Sequence, residues 1–257
     1  MVLVALVAAG IWASRRFGGR EEPPAPPPAP SAGTEPGAAA PGAPAPGAVT
    51  GVPDLGANVG EEEVRALADT VSPSELYRRI LAQGDVARRA AVLLDNLAEG
   101  ASPRRQLEPL RPDRPFAVMR RAGGETVIDP ASYARYDPFA DAVASVDAGV
   151  AARVYRSLHT VLELAYRALG YPEASLDAVT ARALHRIAGA PVIEGDVPVA
   201  EREGVFVFQD ERLEGAREVE KHLLRMGPRN TRLVQAKARE LLEALGLPPP
   251  GAAKAVR

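Results

Sequence analysis

A mainly α, single helical domain with a small antiparallel β element is the fold class this sequence predicts, and three observations predict it. From Glu61 onward, apolar residues recur at helical spacing between capping residues and glycine stops. Only two short stretches, PFAVMRRAGGETVID and VFVF, carry strand and turn signals. Residues 15–60 are so rich in Pro, Ala and Gly that they cannot build a core of their own. The chain of 257 residues is therefore divided into an apolar anchor at 1–14, a disordered linker at 15–60, the helical domain at 61–246 and a disordered tail at 247–257.

The N-terminal stretch MVLVALVAAGIWA is uncharged and is followed by Arg15, Arg16 and Arg20. Thirteen helical residues reach about 20 Å, against about 30 Å of bilayer core. The segment is read as a single-pass membrane anchor short of its first turns, in preference to a signal peptide or a buried helix. Arginines just after a span favour keeping that side in the cytoplasm. Against this, the spacer that follows, with PPAPPPAP and APGAPAPGA, could in extended form hold a domain on the order of 120 Å from a membrane. That arrangement suits an inner-membrane protein whose C-terminal domain stands in the cell envelope.

Within the domain, SPSE at Ser72–Glu75 has the form of a capping box and predicts a helix starting there. The next helix starts near Asp85, carries Val86, Ala90, Leu93, Leu94 and Leu97 on one face, and stops at Gly100. PFAVMRRAGGETVID predicts a hairpin with its turn at Ala122-Gly123-Gly124 and its return at Thr126–Ile128. One long helix is expected from Asp147 to the stop at Gly170, with Val150, Val154, Leu158, Val161, Leu162, Ala165 and Leu169 facing the core. Ser175 is expected to cap another, carrying Leu176, Val179, Ala183 and Ile187. VFVF at Val205–Phe208 is a strand to be paired with Val197–Ala200 across Glu203-Gly204. Two last helices, near Glu214–Met226 and Asn230–Leu245, are separated by Gly227-Pro228, and Gly246 closes the second.

The order PFAV, glycine turn, IDPASYARYDPF, a Gly170-Tyr171-Pro172 step and LLRMGPRNTRLVQAKARELL resembles the bacterial family catalogued as domain of unknown function 3014, over roughly Val64–Leu245. YARYDP and LLRMGP are its most specific parts. The resemblance implies a membrane-tethered, periplasmic domain and brings no known activity with it.

Two groups of residues are candidate sites. In IDPASYARYDPF, Asp129-Pro130 and Asp137-Pro138 both place an aspartate before a proline, so each is expected to start a helix. Tyr133 and Tyr136 would then pack the short helix between the starts. The functional alternative is that Tyr133, Arg135, Tyr136 and Asp137 line a groove for a polar or anionic ligand. The segment Pro103–Arg121 holds Arg104, Arg105, Arg111, Arg114, Arg120 and Arg121 against Glu108 and Asp113, a basic surface for an anionic envelope polymer or lipid headgroup, or else a solvated connector.

Composition excludes more than it assigns. Charge is balanced, with 31 basic against 33 acidic residues, so a general nucleic-acid binder is not expected. There is no cysteine, hence no disulfide and no thiolate nucleophile. His159, His185 and His222 fall singly on three expected helices, with no metal-ligand spacing, and neither a metal nor a cofactor is expected. No GxSxG, SxxK or phosphate-loop motif is present. The expectation is a non-enzymatic binding module for an envelope protein or polymer, with its oligomeric state left open. An envelope hydrolase using paired carboxylates near Tyr133–Asp137 is the alternative.

Overall fold

The computed structural model describes residues 52–172 and 175–247. The expected anchor, most of the linker and nearly all of the tail lie outside the described residues. Among the described residues, no helix is long and apolar enough to cross a membrane.

The order is α1 (Glu61–Asp69), α2 (Glu75–Leu81), α3 (Val86–Glu99), a 3-10 turn (Glu108–Leu110), β1 (Val118–Arg120), β2 (Thr126–Ile128), α4 (Pro130–Tyr133), a 3-10 turn (Ala134–Tyr136), α5 (Asp137–Ala144), α6 (Ala148–Ser157), α7 (His159–Arg167), α8 (Leu176–Ala188), β3 (Val199–Arg202), β4 (Val205–Phe208), α9 (Glu211–Glu214) and α10 (Glu218–Leu245). The mainly helical expectation holds, and the β element consists of two two-stranded antiparallel sheets.

α10 packs on α8, α5 and α6, while α3 packs on α8 and α7. Their apolar stripes merge into one core that fully buries Tyr77, Leu93, Leu97, Tyr136, Leu184, Ile187 and Leu223. Each such aliphatic side chain contributes about 1.5–3 kcal/mol by leaving water. A second, smaller cluster gathers Ile128, Val197, Val199, Phe208 and Leu224, with Phe116, Tyr133 and Phe206 on its margin. The two hairpins abut there: the Ile128 N–H donates to the Val197 carbonyl at 3.0 Å, and Val127 bridges Pro198.

Local chemistry explains where elements begin and where expectation fails. The β1–β2 register pairs Val118 with Ile128, as the turn predicts. β3 starts at Val199 rather than Val197, because Glu203 and Gly204, at φ of 52° and 78°, form a two-residue turn that closes directly on the Arg202–Val205 pair. α2 begins at Glu75, later than expected, since the Ser72 hydroxyl accepts from the Ser74 N–H and is shared with the Ser145 hydroxyl at 2.8 Å. α3 is capped from outside by the Glu61 carboxylate, which accepts from the Val86 N–H at 3.1 Å.

The expected helix from Asp147 to Gly170 is broken at Leu158, whose φ/ψ of −101°/10° is not helical. The break leaves the Ser157 carbonyl and the Thr160 N–H without intrahelical partners. Residues just before α1 supply them: the Leu55 N–H donates to the Ser157 carbonyl at 2.9 Å, and the Asp54 carboxylate accepts from the Thr160 N–H and hydroxyl at 3.2 and 2.7 Å. Burial alone would raise the Asp54 carboxyl, but these bonds outweigh it and hold it below its ordinary value. Residues 54 and 55, within the stretch read as linker, are thus fastened to the helical body.

Candidate anion-binding corner

The stretch between β2 and α5 begins as its sequence dictates. Asp129 is extended, its carboxylate accepts from the Ala131 N–H at 2.8 Å, and Pro130 occupies the first turn of α4. The second Asp-Pro behaves differently. Asp137 is itself helical (φ −56°, ψ −47°), because the 3-10 turn runs straight into α5 and leaves no extended residue to act as a cap. Its carboxylate is used across the fold instead, accepting from the Asn230 side-chain amide at 2.8 Å with Arg229 at 3.4 Å.

The two tyrosines of YARY part company. Tyr136 is fully buried in the helical core, whereas Tyr133 is half-buried on the margin of the hairpin cluster. The Tyr133 ring lies on Gly227, where α10 kinks at φ 77° and ψ 166°, and a Cβ there would stand 2.4 Å from the Tyr133 Cγ. Asn230 ties the joint by donating to the Tyr133 carbonyl at 3.1 Å. Burial, with Asp196 nearby, pushes the Tyr133 phenol up to about 12.

Between the tyrosines, Arg135 is 8 % exposed. Its guanidinium donates to the Tyr136 hydroxyl and, at 3.4 Å, to the Arg114 carbonyl. It also lies 4.4 Å from the Tyr136 ring centre and 5.3 Å from that of Phe116. Its Nε is buried with no hydrogen-bond partner among the described residues. Arg225, from α10, reaches the same corner, donating to the Phe206 carbonyl at 3.3 Å and lying 4.8 Å from the Phe208 ring centre. Burial lowers the pKa of both groups; Tyr136 opposes this at Arg135 while Arg225 adds to it, and Glu214 and Glu218 oppose it at Arg225. Among the described residues, no carboxylate lies within 4 Å of either guanidinium. Two partly desolvated cations facing aromatic rings and neutral oxygens leave a local demand for negative charge.

The remaining arginines of the 103–121 segment are used differently. Arg121 forks onto Asp196, with one contact at 2.6 Å, and so ties β1 to the loop before β3. Arg111 stands 4.0 Å from Glu108. Arg105, Arg114 and Arg120 are exposed, Arg104 is half-buried, and Arg114 joins the corner through its backbone alone. Asp137 and Asp141, the carboxylates at the end of the Tyr133–Asp137 stretch, lie one turn apart on α5 and share Arg229 at 3.4 and 2.9 Å. They share a surface cation and do not face each other across a cleft.

A second polar cluster was hidden from sequence. Asp177 Oδ1 accepts from the Tyr155 hydroxyl at 2.7 Å and lies 3.3 Å from His159 Nε2, with Thr180 3.3 Å from the same hydroxyl. These residues come from α6, α7 and α8, and no spacing along the chain links the Tyr155 and His159 pair to Asp177 and Thr180. Arg225 did have a signal, since it lies in LLRMGP. Among the described residues, no group of His, Cys, Asp and Glu is placed to hold a metal ion.

Comparison with known families finds that the model of the family described as protein of unknown function (DUF3014) matches residues 86–242. No curated protein and no solved structure matches the chain. Both YARYDP and LLRMGP lie inside the matched region, and the corner is where they meet.

Proposed function

The chain belongs to the DUF3014 family, whose description carries no activity, and we propose from the corner itself a non-enzymatic binding module that takes an anionic group at Arg135 and Arg225. The module is tethered to the inner membrane by its N-terminal apolar segment and faces the periplasm, with the Pro/Ala/Gly spacer setting its reach. Its partner is an envelope protein or polymer bearing that anion.

One observation carries this reading: two guanidinium groups, one from each of the most specific sequence stretches, share an aromatic corner with no carboxylate among the described residues in ion-pair range. The exposed Arg105, Arg114 and Arg120 extend a positive field around it. Arg135 acts as the buried positive floor, and the more accessible Arg225 meets the ligand.

The test is a titration of the full-length chain with polyphosphate at several salt concentrations. Arg225→Gln should weaken binding about tenfold or more, the scale of a lost charge-assisted hydrogen bond, and leave the melting temperature within a few degrees. Equal weakening on neutralising Arg105, Arg120 or Arg225 would reduce the corner to general surface charge. For the location, a C-terminal reporter active only outside the cytoplasm should give signal; silence from an expressed fusion would refute the periplasmic assignment.

A further inference from the structure

Where α7 ends, a second surface has the chemistry of a ligand site. Gly170, at φ 109°, turns the chain after α7 and presents Tyr171. The Tyr171 ring stacks on Tyr166, with centres 5.4 Å apart and planes 21° apart. Tyr166 is buried, so the stack is anchored from below, while Tyr171 is 42 % exposed and one of three exposed large hydrophobic residues among those described. Both phenols reach the Asp95 carboxylate on α3, one to each oxygen, at 3.5 Å. Among the described residues Asp95 is in no ion pair, and its carboxyl is raised by burial and then by Glu99 one turn along. Glu99 is met by Arg182 of α8 at 3.5 Å.

The geometry points to a saccharide-binding platform on the outer face of Tyr171, independent of the arginine corner. An electron-rich ring held flat offers an apolar face, and its rim carries acceptors at Asp95 and Glu99 and a donor at Arg182. A pyranose matches this on both counts: the C–H groups of one ring face cover the tyrosine, and hydroxyls around its edge both donate and accept. A carboxylate or phosphate would be repelled by Asp95 and Glu99. An ammonium ligand would suit the ring and the carboxylates but would offer Arg182 no acceptor. An uncharged sugar satisfies the whole rim.

The test uses the full-length chain titrated with chitotriose and with cellotriose, followed by saturation-transfer NMR and equilibrium binding. At least one should bind saturably. Tyr171→Ala should weaken that binding about tenfold, as expected for truncating a contact aromatic. Tyr171→Phe should retain it, since the ring face is kept, and Asp95→Asn should weaken it without changing the fold. Arg225→Gln should leave it untouched, which separates this site from the corner. The platform is overturned if neither sugar binds at millimolar concentration, if Tyr171→Ala binds as well as the parent with an unchanged melting temperature, or if tetramethylammonium competes at lower concentration than either sugar.

Discussion

At the scale of single residues, His159 shows how position converts an isolated histidine into a linked group. The hydrogen bond with Asp177 raises its pKa, burial opposes the rise, and Glu163 and Asp54 add to it, while the Tyr155 ring packs edge-on at 5.7 Å. The same His159 contact, with burial opposing and Tyr155 assisting, lowers Asp177. A raised folded value means that the His159 contribution to stability is complete below about pH 6.5, the ordinary imidazole value, and is lost as pH rises through the folded value. The Asp177 contribution runs the other way, complete above about pH 4 and lost as pH falls through its lowered value. His159→Gln should therefore cost most stability near about pH 5–6 and progressively less toward about pH 8. Urea denaturation of both proteins across that range checks it; a constant difference would remove the linkage.

At the scale of elements, the kink in α10 decides how the two hallmark stretches meet. Gly227 occupies backbone space open almost solely to glycine, and its missing side chain is the seat of the Tyr133 ring. Gly227→Ala should cost about 3 kcal/mol or more, combining backbone strain with the clash. Adding Tyr133→Ala should recover part of that cost, and the double-mutant cycle from chemical denaturation measures the coupling. Strict additivity would mean that the ring and the kink are energetically independent. Helix periodicity made α3, α8 and both halves of α10 legible, together with the glycine that divides α10. It could not reveal the break at Leu158, since the apolar stripe continues across it and the partners of the freed groups, Asp54 and Leu55, lie about a hundred residues earlier.

At the scale of the whole molecule, the segment before α1 is part of the domain. A chain beginning at Glu61 lacks both the Asp54 cap on α7 and the Leu55 bond to α6. It should be less stable than one beginning at Val52 by about 1–2 kcal/mol, the range of a lost cap, with faster amide exchange in the first turn of α7. Equal stability and exchange would show that these bonds add nothing.

What the amino-acid sequence determined by itself was the local layer: the helical class, the β1–β2 hairpin, the Asp129 and Ser175 caps and the glycine stops. Each of these depends on neighbours a few residues apart. Only the tertiary structure decided which residues left those local roles. Asp137 gave up its cap to bind Asn230, Ser72 gave up its own to reach Ser145, and Tyr133 and Tyr136 entered different cores. The pairing of Arg135 with Arg225 belongs to the same layer, because charges ninety residues apart share a corner only after α10 has bent over α4. Local propensity is set within one turn of chain, whereas burial and charge pairing are settled by whatever the packed chain brings within a few ångströms.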